Sequence, residues 1–344
     1  MQEKSLKCVV WDLDDTLWSG TLVEGDDVQL MPGIEDIIKT LDSYGVLQSI
    51  ASKNNYDDAI EKLNKFGIAE YFLFPQVSWN PKSSAIGVIR DKLNISLDTF
   101  LFIDDQPYEQ NEVSAQHPDI ECLSAAAYVD LLAHSRIRNI QVTDDSKQRR
   151  LRYMENALRQ NDEQEFVGTP EDFLATLDMV FTISVAKPED LIRAEELTER
   201  TNQLNSTGIT YDRDELAFFM SSPDHLLLVC DLTDRYGSYG KIGLALVETK
   251  NQIDTIKLLL MSCRTAARGV GSSLLIYLMK RAKERGHGLR ANFRRTQRNR
   301  QMLATYQFAN FKEISRDDEN NILFECDLST IQDYARYIKL IIDV

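Results

Sequence analysis

The chain has 344 residues, of which 43% are hydrophobic and 27% charged, with 8 Pro, 15 Gly and a formal net charge of −15. That composition is typical of an ordered globular protein long enough for two domains, and it excludes a disordered or collagen-like chain. The acidic balance argues against a nucleic-acid partner, which needs a basic surface. No run of apolar residues is long enough to suggest a membrane span, so we expect no membrane association.

The cysteines lie at positions 8, 122, 230, 263 and 326, with neither metal-ligand spacing nor an even disulfide framework. A reducing, cytoplasmic location is therefore expected. The few residues before Lys7 leave no room for a signal peptide, which agrees with that expectation.

The first predicted strand, Val9–Trp11, is followed by Asp12, Asp14, Asp15 and the hydroxyl of Thr16. A strand that stops at acids places them at its carboxyl end, where open α/β sheets bind ligands. Because Asp12 and Asp14 lie two residues apart, their side chains would share one face of an extended chain. A divalent cation would relieve their repulsion, and one carboxylate could attack phosphorus while the other serves as general acid and base. An acidic turn without chemistry is the alternative for this motif alone.

The second predicted strand, Val46–Ala51, follows a helix that Gly45 ends, and it leads into Ser52, Lys53 and Asn54. A hydroxyl directly after a strand, at the amino terminus of a helix, is a candidate phosphate ligand. It is also an ordinary helix cap, and that alternative stays open at this position.

The third candidate is Lys82. A helix is predicted over Tyr56–Phe66 and a strand over Tyr71–Phe74, after which Pro81 begins a helix with Lys82 in its first turn. A cation at that position opposes the helix dipole unless it faces an anion. An exposed lysine with no function is the alternative.

A second strand that ends in acids, Phe100–Ile103, is followed by Asp104 and Asp105. Two such strands in one sheet bring carboxylates to the same edge, where we expect one hard cation. Mg²⁺ suits a site of oxygen ligands that retains several waters. The predicted ligands are Asp12, Asp14 through its main chain, Asp104 and Asp105.

These four pieces, in this order, resemble the motifs of haloacid dehalogenase (HAD) superfamily phosphotransferases. The segments "WDLDDTLW", "ASKN" and "FIDDQPYEQNEV" further resemble the FkbH-like proteins, which join a HAD domain to an acetyltransferase-like (GNAT-like) domain. The chain departs from them at Asp15 and Gln106, where Asn is usual. The resemblance implies a Rossmann-like HAD domain with a parallel sheet over residues 1–145, then an α/β GNAT-like domain with a largely antiparallel sheet over residues 146–344.

In the carboxyl-terminal half, a charged helical stretch is predicted over residues 128–161 and a helix over Asp190–Thr201. The predicted strands are Met179–Ser184, Leu226–Leu232, Ile242–Glu248 and Ile253–Met261, the last two as an antiparallel pair. Small residues, among them Gly269 and Gly271, then precede a helix with one apolar face that Gly286 ends. Such residues let main-chain N–H groups approach a ligand.

This loop and helix resemble the pantetheine loop of acetyltransferases, and Asn299, Tyr306 and Phe311 match their carboxyl-terminal element. Ala266 stands where those enzymes usually have Arg, so this loop is expected to bind the pyrophosphate of coenzyme A less well. The phosphopantetheine arm of an acyl carrier protein could still lie along the preceding strand.

A further FkbH-like segment, Thr198–Gly208, contains Asn202 and Asn205. Their side chains are predicted to line a polar site for a hydroxylated acyl group or for pantetheine. A helix end with polar caps is the alternative.

Cys263 is the predicted thiol nucleophile. It follows a strand, neighbours Arg264 and precedes a helix amino terminus, and the cation and the helix terminus both lower a thiol pKa. A buried structural cysteine is the alternative. Cys8 is the rival thiol, although its place within an apolar run favours a structural role.

The FkbH-like resemblance implies a glyceryl transferase and phosphatase that uses a small phosphorylated three-carbon substrate, 1,3-bisphosphoglycerate. A thioester forms on cysteine, the HAD site removes the remaining phosphate with Asp12, Asp14 and Lys82, and the glyceryl unit passes to an acyl carrier protein. Two alternatives remain: a plain Mg²⁺-dependent HAD phosphatase whose second domain only recognises a carrier or substrate, and a non-catalytic carrier-docking module.

Overall fold

The computed structural model describes residues 4–138, 140, 142, 144–201, 204–262, 265–297 and 299–344. The chain divides into two compact units, Met1–Leu158 and Arg159–Val344. The division falls within a helix that runs Arg149–Glu165, and the boundary predicted near residue 145 precedes it. Within the described ranges, no helix has both the length and the apolar character needed to cross a bilayer.

The strands of the amino-terminal unit are β1 (Cys8–Trp11), β2 (Trp18–Ser19), β3 (Gln29–Leu30), β4 (Leu47–Ser52), β5 (Gln76–Val77), β6 (Phe100–Asp104) and β7 (Glu121–Ser124). Its helices are α1 (Ile34–Ser43), α2 (Tyr56–Lys65), α3 (Lys82–Leu93), α4 (Pro107–Gln116), α5 (Ser135–Arg138), α6 (Asp144–Lys147) and α7 (Arg149–Glu165), which the division cuts.

Five of these strands form a parallel sheet in the order β5-β4-β1-β6-β7. Residues of β1, β4 and β6 are buried on both faces, as the continuous apolar runs predict for parallel strands. Trp11 pairs with Ile50 on β4 and Ile103 on β6, so the residues that follow β1 lie beside the ends of both neighbours. The topology therefore collects the acidic strand ends at one edge of the sheet.

One predicted strand of this unit is wrong, and one predicted helical stretch is divided into several helices. The strand predicted over Tyr71–Phe74 is replaced by a 3-10 turn over Ala69–Tyr71, and the strand that pairs with β4 is Gln76–Val77. Residues 71–74 are apolar because they pack, with Phe72 and Leu73 buried in two parts of the core. The helix predicted over residues 128–161 is a 3-10 segment followed by α5, α6 and α7.

The elements of the carboxyl-terminal unit are α8 (Pro170–Ala175), β8 (Met179–Val185), α9 (Leu191–Arg200), α10 (Arg213–Ser221), β9 (His225–Asp234), β10 (Gly237–Lys250), β11 (Ile253–Met261), α11 (Val270–Glu284), β12 (Gly288–Arg294), α12 (Arg300–Phe308), β13 (Phe311–Arg316), β14 (Asn321–Cys326) and β15 (Ile338–Asp343). The predicted antiparallel pair β10–β11 and the helix that Gly286 ends are both present.

Its sheet has the order β13-β14-β12-β11-β10-β9-β8-β15. Most neighbours are antiparallel, and the exceptions are the pairs β11–β12 and β15–β8. The predicted fold class is confirmed: a parallel α/β sheet is followed by a separate, largely antiparallel α/β sheet.

Strands β11 and β12 pair over only part of their length, Ile253–Ile256 with Gly288–Ala291. Beyond that point residues 204–206, here called the inserted segment, lie between the two strands. The Ser206 amide donates to the Leu259 carbonyl on β11 (2.9 Å), and the Arg294 amide on β12 donates to the Ser206 carbonyl (2.9 Å). The sheet thus stays hydrogen bonded where its own strands separate.

Candidate active site

The four predicted motifs of the amino-terminal unit meet at the carboxyl edge of its sheet. Asp12 follows β1, Ser52 ends β4, Lys82 begins α3 after β5, and Asp104 ends β6. The Lys82 ammonium lies 2.9 Å from Asp12 Oδ1 and 2.6 Å from Asp104 Oδ2. The Ser52 hydroxyl hydrogen bonds the Asp12 carboxylate. Residues separated by up to 92 positions in sequence therefore form one contact group.

Lys82 is the buried cation of this group, with its side chain only 4% exposed. Burial by itself lowers the pKa of Lys82, but Asp12 and Asp104 outweigh burial and hold that pKa above its ordinary value. The lysine is therefore charged at neutral pH. Its place in the first turn of α3, which opposes the helix dipole, is offset by two carboxylates.

The acids outnumber the lysine. Burial raises the pKa of Asp12 to about 6, with Lys82 lowering it and Asp104 raising it further. Burial also raises the pKa of Asp104, again against the effect of Lys82, and of Asp105, where the Asp12 charge adds to it. Three carboxylates therefore lie near one ammonium, and their raised pKa values reflect mainly the cost of charging them away from water.

These three acids fit a divalent cation. Asp12, Asp104 and Asp105 each offer a carboxylate oxygen, and the three oxygens lie within 4.8 Å of one another. Both Asp104 oxygens have donors, Lys82 on one side and the Gln106 amide (2.8 Å) on the other. Asp105 Oδ1 is buried and has no hydrogen-bond partner within the part of the chain that the structure describes. A buried carboxylate oxygen without a donor is a natural cation ligand, so Asp105 fits that role better than Asp104.

Asp14 lies two residues after Asp12 in the sequence, but its carboxylate does not belong to the cluster of Asp12, Asp104 and Asp105. Its Oδ1 accepts from the Trp18 indole N–H (2.7 Å) and the Leu22 amide (3.1 Å), and its Oδ2 accepts from the Asn54 amide group (2.9 Å). Three donors from three parts of the chain fix the orientation of this carboxylate.

Strand β1 ends at Trp11, although the Asp12 amide still donates to the Ile103 carbonyl of β6 (3.0 Å). The amides of Thr16, Leu17 and Trp18 all donate to the Leu13 carbonyl, so the chain turns at once. Asp15 has a φ of 49°, a left-handed conformation that Asp and Asn tolerate better than most residues. The turn begins at Leu13, so Asp14 and Asp15 lie within it and follow the strand.

The remaining predicted phosphate ligands of this unit surround the cluster. Ser52 and Asn54 are buried, and the Thr16 hydroxyl is buried without a partner among the described residues. The Lys53 ammonium is 2.6 Å from Glu109 Oε1. Sequence reasoning missed Trp18 and Glu109, although both lie in motif segments, "WDLDDTLW" and "FIDDQPYEQNEV".

In the carboxyl-terminal unit, Gly269 has a φ of 76° at the start of α11, and a Cβ at Gly271 would contact Met261. Asn205 is buried, and its side-chain amide bonds its own loop: Nδ2 donates to the Thr201 carbonyl, and Oδ1 accepts from the Thr207 and Gly208 amides. These bonds are made within the loop that follows α9.

The strand predicted to carry a pantetheine arm is already bonded along part of its edge. Met261 donates from its amide to the Leu204 carbonyl, and both main-chain groups of Leu259 bond Ser206. Tyr306 is buried next to Ser206, and burial raises the pKa of its hydroxyl. The inserted segment therefore takes the hydrogen bonds that an extended ligand on β11 would need there.

The predictions for Cys263, Arg264 and Asn202 concern positions outside the described residues. The rival thiol, Cys8, is fully buried in β1, and burial raises its pKa far above the ordinary value for cysteine. A thiol in that environment stays protonated and unreactive.

No family model matches the chain. A curated relative, magnesium-dependent phosphatase 1 of Homo sapiens, is 26% identical over 136 residues, which are 34% of this chain and 76% of that protein. The match lies with a phosphatase that depends on magnesium, and it agrees with the four motifs that converge in the amino-terminal unit.

Among solved structures, the amino-terminal part of BF1531 from Bacteroides fragilis, described as containing a phosphatase domain complexed with Mg, is 23% identical with a TM-score of 0.36. The alignment covers 40% of this chain and 42% of that one. The ribosomal-protein-S18-alanine N-acetyltransferase of Escherichia coli is 18% identical with a TM-score of 0.35, over 44% of this chain and 97% of that one.

Proposed function

We propose that this protein is a two-site enzyme, a Mg²⁺-dependent HAD phosphatase joined to a glyceryl transferase that loads an acyl carrier protein. The observation that carries the phosphatase part is the contact of Lys82 with both Asp12 and Asp104, beside the buried, unpartnered oxygen of Asp105. The transferase part is supported by the FkbH-like sequence resemblance and by the largely antiparallel fold of the second unit.

The proposed metal ligands are the carboxylates of Asp12 and Asp105, with the main chain of Asp14 and with Asp104 as a further acid. When bound, Mg²⁺ supplies positive charge that offsets the charge of the acids and of a phosphoryl group. Its fit rests on the oxygen-only donor set of the cluster.

The phosphatase step uses this chain's own carboxylates. The Asp12 carboxylate attacks phosphorus, the bond from phosphorus to the ester oxygen breaks, and Asp14 donates a proton to the departing alkoxide. Asp14 then takes a proton from the water that hydrolyses the aspartyl phosphate. Lys82 orients Asp12, while Trp18 and Asn54 hold Asp14 in place.

The proposed acyl transfer precedes that step. The Cys263 thiolate attacks the acyl carbon of 1,3-bisphosphoglycerate, and the bond to the acyl phosphate oxygen breaks to release phosphate. An acyl phosphate has a good leaving group and suits a thiolate, whereas the remaining phosphate ester needs the HAD site. After the phosphate ester is hydrolysed, the thiol of the carrier protein attacks the thioester and frees Cys263.

Intact-mass spectrometry tests this sequence. After incubation with 1,3-bisphosphoglycerate and Mg²⁺, we expect a glyceryl mass increment on the protein, which is absent in Cys263→Ala and transfers to an added carrier protein. Cys122→Ala is the matched control, because Cys122 is a half-buried thiol of the amino-terminal unit, and it should keep the increment. An increment that survives Cys263→Ala would contradict the proposed nucleophile.

A plain phosphatase is the second candidate, and one observation favours it. The edge of β11 at Leu259 and Met261 already bonds the inserted segment, so no free strand edge is available there for a pantetheine arm. Under this alternative no covalent increment forms, and phosphate-ester hydrolysis survives Cys263→Ala.

Cation affinity should depend on pH. Mg²⁺ binds the ionised form of Asp12, whose pKa is raised to about 6, so affinity is full above that pH and falls as the carboxyl takes up a proton. We expect a loss of about tenfold per pH unit below about 6, because one proton competes with each ion bound. Calorimetric titration with Mg²⁺ between pH 5 and 8 measures this dependence. A Mg²⁺ affinity that does not change over that range would contradict the assignment.

A further inference from the structure

The ion pair between Lys53 and Glu109 links the two strands on either side of β1. Lys53 is the first residue after β4, and Glu109 lies in the first turn of α4, which follows β6. The Gln110 side chain donates to the Asp104 carbonyl (2.8 Å), which ties that turn to the end of β6. Since β4 and β6 each neighbour β1, they lie roughly 9 to 10 Å apart. The pair therefore spans the carboxyl end of β1, the strand that Asp12 follows.

The two partners differ in exposure. The Glu109 side chain is 6% exposed, whereas that of Lys53 is 36% exposed. Glu109 Oε1 accepts from the lysine at 2.6 Å, and Oε2 is buried with no partner within the described chain. A buried carboxylate whose single partner is a half-exposed lysine acts mainly to hold that lysine in one position. The Lys53 side chain thus keeps part of its surface exposed to solvent.

Lys82 is already engaged by Asp12 and Asp104, so it serves the reacting carboxylates. Lys53 has no such role and lies farther toward solvent. Because the two lysines differ in this way, we propose that Lys53 binds a second anionic group on the alcohol part of a phosphate ester. Glu109 is then a positioning residue for Lys53. The proposal rests only on the phosphatase part of the function proposed above. It adds a class of free substrates, phosphate esters that carry a carboxylate or another phosphate and are not bound to the enzyme as a thioester.

The test compares two probes that differ in one group. Glycerol 3-phosphate and 3-phosphoglycerate carry the same phosphate ester but end in an alcohol and a carboxylate. Their dissociation constants are measured by calorimetry with Mg²⁺ in an Asp12→Asn background, where turnover is removed. We expect 3-phosphoglycerate to bind about tenfold more tightly, the size of one charge-assisted contact, and Lys53→Gln to bring the ratio close to one.

Glu109→Gln should also reduce the ratio toward one, although it leaves Lys53 in place. Lys53→Arg should retain most of it, because a guanidinium can pair with both Glu109 and a ligand carboxylate. The matched control is Glu61→Gln in the exposed Glu61–Lys65 pair (2.6 Å), which should leave the ratio unchanged.

Equal weakening of both probes by Lys53→Gln would overturn the proposal, because it would assign Lys53 to the transferred phosphoryl group. An unchanged ratio in Lys53→Gln would overturn it too, and Lys53→Arg, which keeps a cation for the buried Glu109, supplies the comparison that does not remove the ion pair. Phosphate release that persists in Asp12→Asn would instead contradict the proposed function. The ratio of affinities is measured without turnover, so the two failures are distinguishable.

Discussion

Asp12→Asn should abolish phosphate-ester hydrolysis while leaving the protein folded. The asparagine keeps the size of the side chain and an oxygen for Lys82, but its neutral amide cannot attack phosphorus. Loss of a nucleophile lowers turnover on the order of 10⁴-fold or more. Phosphate release from a small phosphate ester in the presence of Mg²⁺ is the measurement.

The matched control is Asp15→Asn, the same change three residues along the chain. Asp15 is exposed, and its Oδ1 accepts from the Gly20 amide at 2.9 Å, a bond that an asparagine oxygen can also make. Asparagine tolerates the left-handed φ of this position equally well. Activity should stay within about twofold of wild type. Equal losses of activity in the two variants would mean that the negative charge of this loop supports the reaction, and that Asp12 is not a nucleophile.

Lys82→Met should destabilise the amino-terminal unit by about 3 to 5 kcal/mol at pH 8 without divalent cations, the usual cost of removing one partner from a buried ion pair. The change leaves Asp12 and Asp104 buried without their cation. Urea unfolding followed by tryptophan fluorescence measures it, since Trp11, Trp18 and Trp79 all belong to this unit.

The pH dependence of the destabilisation by Lys82→Met distinguishes loss of the ion pairs from simple loss of packing. Burial raises the pKa of Asp12 to about 6, so at pH 5 the carboxyl is largely protonated and the absent lysine matters less. The destabilisation should therefore be greater at pH 8 than at pH 5, and added Mg²⁺ should reduce it. Lys65→Met on the exposed side of α2 is the control, and its effect should stay within about 0.5 kcal/mol. A penalty for Lys82→Met that does not vary with pH would contradict the electrostatic explanation.

The elements that sequence reasoning located best are those whose pattern is set by burial. Strands β1 and β6 are apolar runs that end in acids, and the structure places both within one residue of the predicted limits. The same reasoning failed at residues 71–74, where Phe72 makes only an isolated bridge to Gln48 of β4 and the apolar side chains of Phe72 and Leu73 pack in the core. Local apolar character cannot separate those two causes.

The site was predictable as a set of motifs but not as a geometry. Order along the chain indicated that Asp12, Lys82 and Asp104 would meet, and they do. The hydrogen bonds that fix Asp14 come from Trp18 and Asn54, and the partner of Lys53 is Glu109. No spacing rule marks such contacts, because they depend on how turns and helix ends are placed after each strand.

The inserted segment shows the same limit in the second unit. Residues 204–206 bond β11 and β12, which are 53 or more residues away in sequence. The local sequence had suggested a polar lining for a ligand or, as the alternative, polar caps at a helix end. A short stretch that completes a sheet between two diverging strands carries no alternating pattern of its own.

This arrangement also limits how the chain can be altered. A loop between two helices is normally a place where insertion, circular permutation or a proteolytic nick is tolerated. The loop that joins α9 and α10 is not such a place, because lengthening or cutting it at residues 204–206 would leave the amide of Arg294 and both main-chain groups of Leu259 without their partners in the middle of the sheet.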